Sequence, residues 1–404
     1  MKKELTIKLQ DLSVYKIVYG TKSNGECNLA SAEILKAALK EKLGTELEIA
    51  EDTAVSLEDK YLFVGICKDV DAPALEEMYY TCTVEDENVY FIGGELLSVH
   101  MGVADYVQNV LSVDGDDVTF TEYSASLLKV KDQPKSEGTE FRVMTYNIMA
   151  EWPGWGGDYM PIVKRAEGFR AIMKAYDPDV AGIQEVSPEW SEYILKEYGD
   201  EYEYINRMTP DGLFVNLSTI IYKKSKFDVL DQGLQYFSFN GPNKIRLVDW
   251  AIFRDKATGK AFAFFNSHWC FYRAIDNDAQ RKSHSEENAV IINKVMADHP
   301  SVKYAFSMAD FNTPLEHEFA RNFIRDAGLV NSRDIAEAAG NMINCAGGCS
   351  RPGTPRHMQA TSEHCIDNIF VTPNMKVLRH ETILWNGVEH VSDHSPKYAD
   401  FILD

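Results

Sequence analysis

Along the first 128 residues the apolar positions fall in two rhythms. Short runs (TIKL, YKIVYG, ELEIA, YLFVG, NVYFIGG) have the density of strands. Two longer stretches, LASAEILKAALKEKL and ELLSVHMGVADYVQNVL, repeat apolar residues every three or four positions, as a helix with one buried face does. Together they predict a small α/β unit over residues 1–128, in which His, Cys and acidic residues nowhere cluster in a way that points to chemistry. The segment KVKDQPKSEGTE, residues 129–140, joins charge, Pro and Gly with no periodic apolar face and predicts an exposed linker. Over residues 141–404, strand candidates (FRVMTYNI, DVAGIQEV, STIIYKK, VDWAIFRD, KAFAFFNSHW, VKYAFSMADF, IDNIFVT, KYADFIL) alternate with helical stretches such as EGFRAIMKAY and EENAVIINKVMAD. This is the order of an α/β protein. Several of the strands are apolar at nearly every position, as strands buried on both faces are.

Length supports the division, since 404 residues exceed the roughly 250 to 300 that one core accommodates. The 62 acidic against 41 basic side chains give a formal charge of -21, a field that repels polyanions. Long nucleic acids are therefore disfavoured partners, although a basic cleft or a bound divalent cation reverses the sign locally. The N-terminus has no apolar run of leader length, and no later segment is long enough to cross a bilayer. A cytoplasmic protein is expected if Met1 is the native start, and a secreted one if a leader has been removed. Seven cysteines (Cys27, Cys67, Cys82, Cys270, Cys345, Cys349, Cys365) are an odd number without zinc-ribbon spacing. Free thiols are expected, with pairing of Cys345 and Cys349, or of either with Cys365, as the alternative.

The polar residues are informative because of where they fall. Asn147 follows VMTY, Glu185 follows VAGIQ, His268 follows FAFFNS, Asp310 and Asn312 follow YAFSMA, and Asp367 lies within HCIDNIF. Carboxylates, amides and imidazoles thus gather where strands end, the place at which layered α/β folds bind ligands. The set suits a hard divalent cation such as Mg²⁺, which takes oxygen ligands and needs only one or two carboxylates. Asp310 and Asn312, two apart, project to one side of an extended strand end. Asp393 and His394 are adjacent, and Ser392 and Pro396 mark a loop that lets them face different partners. A carboxylate fixes an imidazole's tautomer and raises its basicity, and Asp367 is the natural partner for His394.

With TYNI, IQE, NSHW, ADFN, CIDNIFV and SDHSP in this order, the chain resembles the endonuclease/exonuclease/phosphatase superfamily from about Phe141 to Asp404. The resemblance implies a four-layer α/β sandwich of two packed mixed sheets, preceded by the smaller α/β domain. It also implies roles: Glu185 as principal metal ligand, Asn147 and Asp393 in the metal shell, and Asp310 orienting and deprotonating the attacking water. Asn312 would hold Asp310 or a phosphate oxygen, His268 and His394 would donate to the phosphoryl group, and Asp367 would orient His394. Hydrolysis of a phosphoester asks for these parts: charge neutralisation, an aligned water and help for the leaving oxygen. Arg246, in KIRLVDW, adds a fork-shaped donor for phosphate. Ala309 stands where the family often has Gly, Met149 where it often has a second acid, and Trp269–Cys270 where Leu and Asp are common. The lack of an acid at 149 favours a single-metal site. The first 128 residues resemble, by pattern and by the helix ending ADYVQNVL, the small α/β domain that precedes glycoside hydrolase barrels.

Taken singly, each of these residues has a plainer reading: Asn147 capping a strand, Asp310 capping a helix, His268 as a satisfied core histidine. Six polar groups at successive strand ends are a catalytic pattern. Trp152, Trp155 and Tyr159, in EWPGWGGDYMP, offer a stacking wall for a sugar, inositol or nucleobase, or else an ordinary aromatic loop. The Gly- and Pro-rich stretch before CIDNIF carries Arg351, Arg356, His357 and His364 and has the composition of a substrate-selecting loop or of a surface loop. His284 is expected on the exposed side of a helix. The expectation is a Mg²⁺-dependent phosphodiesterase or phosphatase, with Mn²⁺ as the substitute ion, acting on a small-molecule, lipid-headgroup or sugar phosphate. Its rivals are a DNA or RNA nuclease and a non-catalytic ligand-binding module.

Overall fold

In this computed structural model, residues 2–403 are described apart from 22–24, 56–59, 66, 68–74, 76–78, 95, 127–129, 131, 151–161, 211, 213–214, 240–245, 271–276, 341–364 and 384–390. The first half builds a six-stranded sheet in the order Glu48–Glu51, Lys16–Tyr19, Tyr61–Val64, Asn88–Gly93, Tyr79–Glu85, Tyr123–Ser126. The helices Gly25–Leu43 and Leu96–Asn109 bring Leu35, Leu39, Val103 and Tyr106 into one buried cluster with Ile17, Leu62 and Phe91 of the sheet. A three-stranded sheet, Glu4–Lys8, Asp117–Thr121, Ser112–Asp114, accompanies it.

The second half is α/β, as expected, and consists of two sheets face to face with helices outside each. The first runs Tyr202–Ile205, Ser218–Lys223, Val180–Gln184, Phe141–Asn147, Lys397–Ile402, Lys376–Thr382, Ala336–Ala339, and the second Phe227–Tyr236, Leu247–Asp255, Ala261–His268, Tyr304–Asp310, Asp367–Val371, Val330–Asn331. Every residue of Phe141–Asn147 is buried, because its alternate side chains enter different layers. Phe141 and Val143 join Phe262, Phe306 and Phe401 between the sheets. Met144 and Tyr146 meet Phe169 and Trp190, from the helices Ile162–Tyr176 and Pro188–Tyr198. On the far side, Phe265 and Ala309 pack with Ile292 and Phe323, from Asn277–Asp298 and Glu318–Asp326. The result is helix, sheet, sheet, helix.

Phe141–Asn147 lies parallel to Val180–Gln184 in the first sheet, which has a second parallel pair at its far edge, Ala336–Ala339 beside Lys376–Thr382, and Ala261–His268 lies parallel to Tyr304–Asp310 in the second. A parallel pair needs a crossover, so both strands of a pair end on the same side, and four motif-bearing strand ends come together there. Asn266 stitches the sheets beneath this edge. Its Nδ2 donates to Ile183 O (3.0 Å) and Thr219 O (2.7 Å), and its Oδ1 accepts from Gln184 Nε2 at 2.6 Å. Gly182 makes room, since a Cβ there would lie 2.8 Å from Asn266 Oδ1.

The segment read as an exposed linker is tied to the second half from Gln133 onward. Gln133 N donates to Ala175 O, Lys135 reaches Asp179 at 2.8 Å, and Ser136 donates through N and Oγ to Asp400 Oδ2. Cys67, Cys82, Cys270 and Cys365 are free thiols, whereas Cys345 and Cys349 lie outside the described residues.

Candidate active site

The end of the strand Phe141–Asn147 carries the first functional group. Asn147 Oδ1 accepts from Met149 N (3.0 Å), which turns its amide nitrogen toward the carboxylates: Nδ2 donates to Glu185 Oε1 at 3.1 Å and to Asp310 Oδ2 at 3.0 Å. Asn147 thus meets the two acids as a hydrogen-bond donor, beside Glu185, the acid that the resemblance implies as principal metal ligand. Glu185 follows its strand in a left-handed conformation (φ 61°), and Ala150 N donates to its Oε2 at 3.0 Å. Met149 (φ 54°) and Asn312 (φ 46°) share that conformation. Three non-glycine residues with positive φ around one site are the backbone strain that functional sites concentrate.

The second sheet adds the imidazole and the central acid. The ladder places His268 beside Asp310 and Asp310 opposite Asp367. His268 Nε2 lies 3.2 Å from Asp310 Oδ2 and 4.0 Å from Glu185 Oε1. His394 turns Nδ1 to Asp367 Oδ2 at 2.8 Å, and its Nε2 stands 3.7 Å from Asp310 Oδ2 and 3.9 Å from Asp393 Oδ1. The partnership of Asp367 with His394 is the one read from the sequence. Asp393 and His394 precede the last strand in a turn where His394 N donates to Ser392 Oγ at 3.1 Å.

Asn312 holds Asp310, through its backbone. Its backbone N–H, not its amide, donates to Asp310 Oδ1 (2.9 Å), and its side chain donates to Trp269 O at 3.1 Å. The left-handed turn at Asn312 removes the extended geometry that would have sent both side chains to one side. Arg246, partly buried, precedes the strand Leu247–Asp255. Burial lowers its guanidinium pKa against the opposing pull of Glu185 and Asp310, so it shares the field of the site. Trp152 and Trp155, with Tyr159, lie outside the described residues, as do Arg351, Arg356, His357 and His364.

His284 is fully buried, contrary to the exposed position expected. It accepts from Cys270 N (3.1 Å) and meets Phe239 O at 3.0 Å, stacked on Phe237. Burial pushes its pKa down to about 4, which keeps it neutral. A cleft of about 470 Å³ lined by Trp250, Asp231, Lys294 and His299 contains none of the site residues.

The electrostatics are those of a buried, mixed-charge cluster. Burial by itself would raise the Asp310 carboxyl, but the imidazoles of His268 and His394 and the N–H of Asn312 hold it below the ordinary range. Burial likewise opposes charge on Glu185, whose pKa His268, Asn147 and Ala150 bring below its usual value. Desolvation works against the His394 imidazolium, yet Asp367, Asp310 and Asp393 raise it well above normal. Asp393 is raised, first by burial and, against the pull of His394, by the charge of Glu185.

Among the described residues, two sets of groups are close enough to share a cation: Glu185 with His268 and Asp310, and Asp310 with Asp367 and His394. The side chains of Glu185 (29% exposed) and Asp393 (33%) are the open acids, so a cation and its waters can enter beside them. Their mutual repulsion is what a hard divalent ion relieves, and their donors are the oxygens it prefers. The residues present fit such an ion.

A two-sheet α/β sandwich that gathers amide, carboxylate and imidazole groups at one edge is the framework of a phosphoester hydrolase. The chain belongs to the Endonuclease/Exonuclease/phosphatase family, whose profile matches residues 144–394. Divalent-metal use is general in that family, and its members are phosphoester hydrolases. Among curated proteins the chain is similar to tyrosyl-DNA phosphodiesterase 2 of Xenopus tropicalis, 22% identical over 71% of this chain and 67% of that protein. Among solved structures it is similar to endonuclease/exonuclease/phosphatase proteins of Bacteroides vulgatus (TM-score 0.53, 22% identity, 65% of this chain and 99% of that one) and Bacteroides thetaiotaomicron (0.50, 22%, 65% and 95%). These likenesses show the fold. Among the described residues, no helix is long and apolar enough to cross a membrane.

Proposed function

We propose that the protein hydrolyses a phosphomonoester or phosphodiester of a small molecule, lipid headgroup or sugar, with Mg²⁺ as the ion and residues 141–404 as its catalytic domain. The observation that carries this reading is the setting of Asp310, a buried carboxylate bracketed by Asn147 Nδ2 at 3.0 Å, His268 Nε2 at 3.2 Å and His394 Nε2 at 3.7 Å. Glu185 and Asp393 would hold the ion, which neutralises charge on the phosphoryl group when bound. Asp310 orients the attacking water, and its depressed pKa makes alignment its larger contribution; the water's proton passes to Asp310 as the new O–P bond forms and the ester O–P bond breaks, and the departing oxygen is protonated by water. His268 and His394 donate to the phosphoryl oxygens, and Asp367 keeps His394 turned and protonated. Asn147 spaces the two carboxylates, and Arg246 adds positive charge for the substrate.

The net charge of -21 supports small substrates over polymers. The relative named as a tyrosyl-DNA phosphodiesterase favours a second reading, cleavage of a phosphodiester at a DNA end. The experiment is a panel of sugar phosphates, phospholipid headgroup esters, aryl mono- and diesters and tyrosyl-linked oligonucleotides, with Mg²⁺ and with chelator. Turnover of small esters that chelator abolishes is the expected result. Preference for the oligonucleotide would establish the second reading, and chelator-resistant turnover would remove the metal from the mechanism.

A further inference from the structure

Groups from opposite ends of the second half must meet with sub-ångström accuracy: Asn147, on the turn continuing through Met149, and Asp393 with His394, on the turn beginning at Val391. We propose that Arg165 is the positioning residue that locks these two turns to each other, and through them sets Asn147 and His394 for the hydrolysis proposed above. The inference rests on that functional reading.

Arg165 sits on the helix Ile162–Tyr176 with its side chain fully buried. One guanidinium nitrogen, NH1, donates to three carbonyl oxygens: Ile148 at 2.8 Å, Met149 at 2.8 Å and Val391 at 2.9 Å. The first two belong to the turn after Asn147 and the third to the turn before Asp393. The guanidinium also lies over the Trp190 ring at 5.2 Å, and Trp190 Nε1 donates to Met149 O at 3.1 Å. A second tie runs in parallel, Ser392 Oγ donating to Asn147 O at 2.6 Å.

Met149 shows what the clamp does. Its backbone is left-handed, a conformation that persists only where the surroundings over-determine it. Its carbonyl is held by Arg165 and Trp190, its N–H by Asn147 Oδ1, and its side chain packs in the hydrophobic cluster of the first half. Burying a cation to fill space would be wasteful, because an apolar side chain packs without desolvation. A planar cation that reaches the backbone of two turns does what an apolar residue cannot.

The test uses the full chain with Arg165→Lys, which keeps the charge on a shorter side chain whose Nζ stops short of the position NH1 takes, together with Ser392→Ala and the double variant. Misplacing a reacting group by about 1 Å costs roughly a hundred-fold, and loss of a supporting partner roughly 10- to 100-fold. Arg165→Lys should therefore lower kcat by about 10- to 100-fold with KM nearly unchanged. Amide exchange should quicken at residues 148–150 and 391–395 and nowhere else. Ser392→Ala should lower kcat in the same manner, and the double variant should lose less than the product of the single losses, because both cut one junction. Wild-type kcat in Arg165→Lys, independent multiplication of the losses, or exchange that quickens throughout the chain would overturn the clamp. Should Arg165→Lys not fold, Ser392→Ala decides by the same split. If the wild type turns over no ester, the functional reading fails by itself, and the exchange pattern still judges the clamp.

Discussion

The strand Phe141–Asn147 has a buried polar cluster at each end, and the two are opposites. At its start, Arg142 meets Asp400 through Nε at 2.6 Å and NH2 at 2.9 Å, with NH1 on Gln133 O and Tyr176 O. Asp179 receives Arg142 N, Lys135 and Lys226. Every acid there has a permanent cation, and Arg142 and Asp400 are wholly buried. At the other end, Asn147 joins Glu185, Asp310, Asp367 and Asp393, whose nearest positive partners are the imidazoles of His268 and His394, with Arg246 adding its field to Glu185 and Asp310, and two of those acids open to solvent. A closed cluster with fixed charge holds a fold together. An open one with surplus acid has the groups to take a cation. Burial of charge is common to both, so burial alone does not mark the functional end.

The largest effect expected from this contrast is Asp310→Asn. It should lower turnover by at least about a thousand-fold, within the range that removal of an acid–base group gives, while thermal stability moves far less. Arg142→Ala should do the reverse. Leaving Asp400 buried without its cation costs about 3–5 kcal/mol, readable in denaturant unfolding, with kcat per folded molecule unchanged. If Arg142→Ala reduces kcat of the folded fraction, the two ends are not separable.

The fold and most of the site were legible because the chemistry sits at strand ends that the apolar pattern makes visible. VMTYN, VAGIQE, FFNSH and FSMADFN each announce a buried strand and then a polar residue, and the structure brings Asn147, Glu185, His268 and Asp310 together. Less visible were elements whose pattern is set by one-sided cover. Phe227–Tyr236 is an edge strand with a largely solvent-facing sequence, and Glu318–Asp326 has only nine residues. The supporting residues were missed for another reason. Arg165, Asn266 and His284 act on backbone atoms or on residues distant in sequence, and nothing in their neighbours says so. An Asn inside the otherwise apolar AFAFFNS was the signal available for Asn266. That Asn312 holds Asp310 by its backbone, its side chain turned to Trp269 O, was hidden because its left-handed turn has no signature in ADFN.

A third difference concerns ligand response. Mg²⁺ at about a hundred-fold excess over its dissociation constant should stabilise the protein by roughly 2.7 kcal/mol, a rise of several degrees in Tm. Glu185→Gln should abolish that rise, and Asp400→Asn, at the closed end, should leave it intact. A Tm rise that survives Glu185→Gln would place the ion elsewhere.

The smallest effect, and the one that separates the ends by sign, is pH dependence in metal-free protein. Burial opposes charge on Asp400, but Arg142 and Ser136 bring its pKa below the ordinary value. A carboxylate lowered in the folded state contributes stability that is present above its unfolded pKa, about 3.9, and lost as pH falls through the folded value. His394 runs the other way. Its folded pKa is raised by Asp367, Asp310 and Asp393 against the cost of burial, so its contribution is complete below about 6.5 and lost as pH rises through the folded value. Asp400→Asn should thus flatten only the acid limb of a stability–pH curve, whereas His394→Gln should flatten the limb above neutrality and, because His394 helps hold the Asp310 carboxyl down, part of the acid limb as well. If Asp400→Asn also moved the limb above neutrality, the strand Phe141–Asn147 would transmit charge from one end to the other, and the two clusters would then be one electrostatic unit.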